Sequence, residues 1–278
     1  MNSTMITATN TLSQLQKQMD IISNNLANVD TNGFKSKQAR FTDLLFSQLN
    51  NQPNASAEQN RLTPNGIRQG SGAKLGQILT DMKQGSLKST GRELDTAFQT
   101  EGQYYKVLVQ KDNSSSIQYT RDGAFYLTPV AKNEVMLVTS DGNPVLDEGN
   151  HPITITGDAS KYTVNPNGSL DVTMTNGTKN SYNLGVIQVN KPQFFEQKGG
   201  NLIGLPDSVP AGSTNNIFTN LTGQQREKIS IGQGMLENSN VDMAKEMTDL
   251  VSVQRAYQFQ ARSVTMSDQM MGLINGIR

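Results

Sequence analysis

Apolar residues near the start of the chain follow alternating steps of three and four, with polar residues between them. The seam consists of Met5, Ala8, Leu12, Leu15, Met19, Ile22, Leu26 and Val29. This is the a/d pattern of a coiled coil, and it predicts an α-helix from about Met5 to Val29. Asn32 and Gly33 are a suitable stop because both residue types tolerate positive φ. A seam this narrow needs a partner helix to cover it.

A second helical pattern occupies the other end of the chain. Ser239, Asn240 and Asp242 supply capping side chains before a run without Gly or Pro that lasts until Gly272. Its seam consists of Met243, Met247, Leu250, Tyr257, Ala261, Val264 and Met271, and a second register follows at Met266, Met270, Leu273 and Ile277. A stripe that widens in this way can contact more than one neighbouring helix.

Between the two helices the pattern changes to period two, punctuated by turn residues. Strand–turn–strand segments are centred on Asp122-Gly123, Asn167-Gly168 and Asn176-Gly177. The sequence predicts an α+β fold in which the terminal helices pair as a coiled-coil-like stem around an inserted, mainly antiparallel β-rich domain. The expected boundaries are a terminal helical assembly domain at 1–31 with 240–278, an extended connector at 32–76 with 222–239, and the β-rich central domain at 77–221.

Composition narrows the possible chemistry. The 278 residues have no net charge, no cysteine and one histidine, so thiolate metal sites, iron–sulfur clusters and disulfides are excluded. The 28 Asn and 24 Gln outnumber the 48 charged residues, which gives a surface suited to hydrogen bonding. Zero net charge argues against a nucleic-acid partner. No run of 18 apolar residues is present, and the first twelve residues lack the features of a Sec signal peptide, so we expect no membrane insertion.

Candidate enzymatic motifs are weak. Ser71 and Lys74 have the Ser-x-x-Lys spacing of penicillin-recognising enzymes, but the chain lacks the Ser-Asp-Asn and Lys-Thr-Gly elements that complete such a site. His151 lies in a turn-like stretch and is expected to be an exposed loop residue. We therefore expect no enzyme activity, no catalytic residue, no metal and no cofactor. The Ser71/Lys74 hydrolase is the enzymatic alternative, and a phage-tail or surface-adhesion protein is the alternative from another structural class.

The segment that follows the first helix carries a more specific signal. Residues 25–35 read Asn-Leu-Ala-Asn-Val-Asp-Thr-Asn-Gly-Phe-Lys and resemble the signature of bacterial flagellar rod and hook proteins. The matching positions are Asn25, Leu26, Ala27, Asn28, Thr31, Gly33, Phe34 and Lys35. Residues 119–125 and 236–242 are similar to further segments of the same family. Within the family, the chain most resembles distal-rod members, with proximal-rod and hook members as alternatives.

The resemblance implies a motility function without catalysis. It implies a structural subunit of the flagellar basal-body rod, exported by the flagellar type III apparatus and located outside the cytoplasmic membrane. Such a subunit self-assembles helically through its terminal helices into a hollow drive shaft that links motor and hook. The implied partners are further copies of itself, other rod and hook proteins, and the export apparatus. One departure is visible, because Thr100 replaces a family glycine and Gln103 is inserted before Tyr104.

Overall fold

The structure is a computed structural model that describes residues 2–43, 46–49, 67–70, 73–111, 114–206 and 216–277. Ser71 and most of the Asn- and Gln-rich stretch between residues 48 and 76 lie outside the described residues. The chain divides into two compact units. The terminal unit comprises residues 1–24, 37–79 and 244–278, and the β body comprises residues 25–36 and 80–243.

Both predicted helices are confirmed. Helix α1 spans Asn2–Ala27 and helix α2 spans Met243–Gly276. After α1 the chain continues through turns to Gly33, which adopts a positive φ of 69°. Over the described part of the chain, neither helix is long and apolar enough to cross a membrane.

The strands are short and lie between the two helices. The first four are β1 Lys37–Asp43, β2 Phe46–Leu49, β3 Ile67–Gly70 and β4 Ala73–Thr80. The next six are β5 Leu87–Ser89, β6 Thr96–Phe98, β7 Gln103–Lys111, β8 Ser114–Thr120, β9 Tyr126–Ala131 and β10 Glu134–Val138. The last ten are β11 Thr154–Thr156, β12 Ala159–Val164, β13 Ser169–Met174, β14 Lys179–Asn183, β15 Val186–Val189, β16 Glu196–Gly199, β17 Leu202–Gly204, β18 Phe218–Asn220, β19 Ile231–Gln233 and β20 Met235–Glu237.

Antiparallel sheets organise the β body. The largest has six strands in the order β16-β17-β8-β7-β15-β18, and two three-stranded sheets have the orders β11-β10-β9 and β12-β13-β14. The two-stranded pairs β19-β6 and β20-β5 bring the last part of the body beside its first part. The predicted α+β class, with terminal helices and an antiparallel β-rich centre, is therefore confirmed.

Two of the predicted hairpins form as the turn residues indicate. β12 and β13 pair across a turn where Gly168 has φ 79°, and β13 and β14 pair across a turn where Gly177 has φ 84°. The Oδ1 atoms of Asn167 and Asn176 accept hydrogen bonds from the backbone N–H two residues ahead, at 3.1 and 3.0 Å. Asparagine followed by glycine therefore fixed both turns locally.

The predicted turn at Asp122-Gly123 is wrong. No turn forms at these two residues, and the strands on either side belong to different sheets, since β8 pairs with β7 and β9 pairs with β10. The Asp122 carboxylate accepts a hydrogen bond from the backbone N–H of Ala124 at 3.0 Å, and Thr96 N–H donates to the Gly123 carbonyl at 3.0 Å. A Cβ at Gly123 would lie 1.9 Å from the Thr96 oxygen, so glycine serves here for close chain crossing.

The main core of the β body forms where the small sheets meet the six-stranded sheet. Three aromatic rings pack within it. The ring centroids of Phe98 and Tyr105 are 4.2 Å apart, and those of Tyr105 and Phe125 are 5.0 Å apart. A second, smaller cluster surrounds Tyr119, which contacts the rings of Phe195 and Phe218. Offset and edge-on ring pairs of this kind add stability beyond the area that they bury.

Candidate functional site

The least expected feature of the β body is a buried ionic cluster centred on Glu237. The Nζ of Lys35 lies 2.7 Å from Glu237 Oε1, and the Nε of Arg121 lies 2.5 Å from Glu237 Oε2. All three side chains are buried, since Lys35 is 5% exposed, Arg121 is 0% exposed and Glu237 is 1% exposed. Buried charges persist only when they are paired and hydrogen-bonded, so these three residues depend on one another.

Backbone bonds hold Glu237 in place. It is the last residue of β20, where it pairs with Leu87 of β5. Gly33 N–H donates to the Glu237 carbonyl at 2.8 Å, and Gly85 N–H donates to Glu237 Oε1 at 2.8 Å. The segment after α1 therefore contacts both the backbone and the side chain of one residue near the start of α2.

Arg121 uses each of its three nitrogens. Beyond the ion pair, Nη1 donates to the Gln103 carbonyl and Nη2 donates to the Thr100 carbonyl, each at 3.0 Å. The guanidinium carbon lies 5.6 Å from the centroid of the Phe98 ring, within cation–π range. Thr100 and Gln103 are the residues at which the sequence departs from the family pattern, and in this chain their carbonyl groups support Arg121.

Lys35 is enclosed on the other side of Glu237. Its Nζ also donates to the Lys83 carbonyl at 2.5 Å. Burial lowers the pKa of Lys35, and the Arg121 charge lowers it further, whereas Glu237 opposes both effects. Two cations thus share one carboxylate, and backbone carbonyl groups face the excess positive charge.

Asn240 makes a second connection between the same segments. Its Oδ1 accepts a hydrogen bond from Ser36 N–H at 2.7 Å, and its Nδ2 donates to the carbonyl groups of Asp81 and Lys83 at 2.9 and 3.1 Å. The backbone N–H of Asp81 donates in turn to the Ser36 carbonyl at 2.8 Å. The segments 33–36, 81–85 and 237–240 are therefore joined at one place, which we call the junction.

The residues of the predicted assembly motif lie along the approach to the junction. Four of the eight residues are buried, namely Asn25, Gly33, Phe34 and Lys35. Three are half-buried, namely Leu26, Asn28 and Thr31, and Ala27 is exposed. Thr31 Oγ1 donates to Asn28 Oδ1 at 3.2 Å within the turns that follow α1. In this structure most of the motif packs inside its own subunit.

The two predicted seams are mostly covered. In α1, Ile22 is buried and Met5, Leu12, Leu15, Met19 and Leu26 are half-buried. In α2, Leu250, Tyr257, Ala261, Val264 and Met271 are half-buried. Met243 and Met247 are exposed, so the covered stripe of α2 begins one to two turns later than the seam drawn from the sequence.

The two candidate enzymatic residues that the structure describes, Lys74 and His151, are both exposed. His151 is confirmed as an exposed loop residue, with a side chain that is 81% exposed. Lys74 is exposed, and Ser71 lies outside the described residues. Within the described ranges, no cluster of three or more acidic or histidine side chains is arranged to hold a metal ion.

Sequence reasoning did not assign a role to Arg121 or Glu237, and it assigned Asn240 to capping of the second helix rather than to its bonds with Ser36, Asp81 and Lys83. Each lies in a segment similar to flagellar proteins, but nothing in the local pattern indicates that Glu237 contacts Lys35. The available signal for a buried charge was a charged residue that follows apolar neighbours, as Glu237 follows Met235 and Leu236.

Three family models match the chain, and each matched segment contributes one member of the ionic cluster. Residues 5–35 match the flagella basal body rod protein model and include Lys35. Residues 101–172 match the flagellar hook protein FlgE/F/G D1 domain and include Arg121. Residues 233–277 match the C-terminal region of the flagellar basal body rod FlgEFG proteins and include Glu237.

Relatives match along almost the whole chain. A flagellar hook-basal body complex protein, FlhP of Bacillus subtilis, is 42% identical over 99% of this chain and 98% of its own length. The flagellar basal-body rod protein FlgG of Borreliella burgdorferi is 31% identical over 98% of this chain and 97% of its own length. FlgG of Bacillus subtilis is 30% identical over 94% and 93%, respectively.

These matches define the class as a structural component of the bacterial flagellum. The chain belongs to the flagellar rod and hook protein family, and it is a rod structural subunit of the flagellar basal body. The distal-rod assignment fits the FlgG relatives.

Proposed function

We propose that this rod subunit self-assembles helically through its terminal helices into the hollow shaft between motor and hook. In this proposal α1 and α2 of one subunit pair as a coiled-coil-like stem, and residues 1–31 with 240–278 form the assembly domain. The connector regions 32–76 with 222–239 join that stem to the central domain at 77–221.

One observation carries the proposal, namely the apolar surface that α2 leaves exposed. Its exposed apolar side chains are Met243, Met247, Val251, Phe259, Met266, Met270, Leu273, Ile274 and Ile277. An apolar surface of this extent on a single helix is typical of an interaction site, because water contact with it is unfavourable. The polymer would bury it against neighbouring subunits.

Phe259, Met266 and Leu273 lie on the face opposite the half-buried stripe, whereas Met243 and Met247 continue that stripe toward the start of α2. Phe259, Met266 and Leu273 recur every seven residues, and Phe259 is about 200° around the helix from half-buried Tyr257, at about 100° per residue. A helix with two opposed apolar stripes can contact one helix within its subunit and another in the next subunit. A heterologous contact of this kind generates an open filament when its rotation does not close.

Charge favours dense packing of the same segments. Residues 241–278 contain four acidic and four basic side chains, and α1 contains only Lys17 and Asp20. Copies of a neutral bundle approach one another without long-range repulsion.

The proposed partners and export route are supported by the names of the relatives and by the composition of the chain. The names of the relatives place them in the rod and in the hook-basal body complex, so we propose contacts with copies of this chain and with other rod and hook proteins. We further propose export by the flagellar type III apparatus to a position outside the cytoplasmic membrane, since a chain without cysteine can be exported unfolded without disulfide traps.

We propose that the protein has no enzyme activity. The homologues are structural rod proteins, which supports this view against the Ser71/Lys74 hydrolase and against a phage-tail or adhesion protein. We propose a position in the distal rod, which the FlgG relatives favour, with the proximal rod and the hook as alternatives.

Two substitutions on α2 test the assembly surface. Leu273→Asp places a charge in the exposed apolar stripe, and Gln269→Asp places the same charge on an exposed polar position one turn earlier. Neither change disturbs buried packing in the subunit. We expect Leu273→Asp to abolish rod formation, seen by electron microscopy of basal bodies, and Gln269→Asp to preserve it. Normal rods and swimming in the Leu273→Asp strain would exclude the proposed surface.

A further inference from the structure

We propose that the junction is a mechanical latch, in which Glu237 fixes both terminal segments to the β body and transmits load from the helices into it. This inference rests on the proposed function in one respect, because the helices carry mechanical force only if they form the rotating shaft. The latch itself is a property of the single subunit.

Along the chain, the junction residues of the β body lie close to the end of α1 and to the start of α2. α1 ends at Ala27, eight positions before Lys35, and α2 begins at Met243, six positions after Glu237. Any tension carried along either helix reaches the body through these short connections. Without a fixed point, the tension would peel residues 33–36 and 237–240 from the body one bond at a time.

The junction resists peeling because its bonds act in parallel. Gly33 N–H and Lys35 Nζ both reach Glu237, while Ser36 N–H reaches Asn240. Bonds that are loaded together must break together, which needs a higher force than the same bonds broken in succession.

Arg121 connects the latch to the central strands of the six-stranded sheet. It directly follows β8, which pairs with β7 over seven residue pairs in the middle of the six-stranded sheet. Its own side chain is held by the carbonyl groups of Gln103 and Thr100. Load on Glu237 therefore passes through Arg121 into the central strands.

The ionic chemistry suits a latch better than it suits simple stabilisation. Apolar side chains of the same volume would seal the site equally well, since buried ion pairs rarely stabilise a fold more than apolar packing does. Removing one partner of a buried pair is nevertheless strongly destabilising, because the other charge stays unpaired. Charged bonds at 2.5 to 2.7 Å also fix direction, which apolar contacts do not.

Single-molecule pulling on the full chain tests the latch. Because the protein has no cysteine, Asp30→Cys and Thr248→Cys give two unique attachment points, both exposed and on either side of the junction. In optical tweezers we expect the parent protein to open the junction and the body in one event. Lys35→Met should open the junction as a separate early step, at a rate roughly tenfold higher at the same force, since one cation of the pair is lost.

Two further variants complete the test. Glu237→Gln should raise the rate of first opening on the order of a hundredfold, because it removes the shared partner of both cations. Glu196→Gln changes a solvent-exposed pair with Lys198 and should leave the opening unchanged. If Glu237→Gln fails to fold, Lys35→Met decides alone, since it keeps the Arg121–Glu237 pair. First opening at the parental rate in Lys35→Met would overturn the latch, whether or not the subunits polymerise.

Discussion

Lys35 and Glu237 form a buried ion pair at 2.7 Å, although 202 positions separate them in the chain. The pair joins the segment after the first helix to the segment before the second, and Arg121 ties both to the central sheet. Each of the three residues comes from a different segment that matches the flagellar family. Segments that match three different family models therefore meet at one point inside the subunit.

Removing the shared carboxylate is expected to destabilise the β body. Glu237→Gln leaves Lys35 and Arg121 without an ionised partner, and breaking a buried pair in this way costs about 3–5 kcal/mol. Urea unfolding followed by circular dichroism gives the change in the free energy of unfolding. Glu196→Gln, in an exposed pair, should change that free energy by less than ~0.5 kcal/mol. Equal stability in the two variants would contradict the structure of the junction.

Gly33 is expected to tolerate no side chain. Its φ is 69°, and a Cβ there would lie 2.6 Å from the Arg121 carbonyl carbon and 2.7 Å from the Asp122 nitrogen. Gly142 has a similar φ of 80° but no atom within 4 Å of a built Cβ, so Gly142→Ala should cost only the backbone strain of about 1–3 kcal/mol. Gly33→Ala adds a backbone clash worth a further ~1–3 kcal/mol. Thermal unfolding of the Gly33→Ala and Gly142→Ala variants measures the cost of the clash as the difference between their free energies of unfolding.

Alkaline pH is expected to unfold the protein through its buried tyrosines. Burial raises the pKa of Tyr119 to about 12, and burial also raises the pKa of Tyr104 and of Tyr105. Above pH ~10 the unfolded chain loses phenolic protons that the folded chain keeps, so the free energy of unfolding falls as pH rises from ~10 to ~12. Near-ultraviolet absorbance should show that these phenols ionise at higher pH than exposed tyrosines do.

Tyr119→Phe provides the control for that titration. The variant loses one late-ionising phenol, so its late absorbance step should be smaller and its stability should depend less on pH in the same window. An unchanged late step would show that Tyr119 titrates with the exposed tyrosines.

Charging the α1 seam is expected to block assembly. Leu15 lies on the covered stripe of α1 and Ser13 lies on its exposed side. Leu15→Asp should reduce the polymerised fraction on the order of tenfold or more, because a carboxylate in an apolar seam costs over ~1.4 kcal/mol. The β body should keep its circular dichroism spectrum, and Ser13→Asp should polymerise as the parent does. Sedimentation of assembled protein measures both, and rods from Leu15→Asp would contradict the role of the seam.

Local patterns predicted the parts of the fold whose information is local. Steps of three and four residues gave both helices within a few residues, and Asn-Gly pairs gave the turns at Gly168 and Gly177. The same reasoning failed at Asp122-Gly123, because that pair is held by Thr96 from a distant strand. A turn motif predicts a turn only where no tertiary contact competes for its backbone.

The sequence by itself determined the two helices, the β-rich centre and the family. Only the tertiary structure decided where Lys35, Arg121 and Glu237 meet and which face of α2 stays exposed. Periodicity reports which residues share a face, since it depends on the geometry of one element. It does not report which distant charges become partners, since that depends on how segments as far as 202 positions apart in the chain pack together.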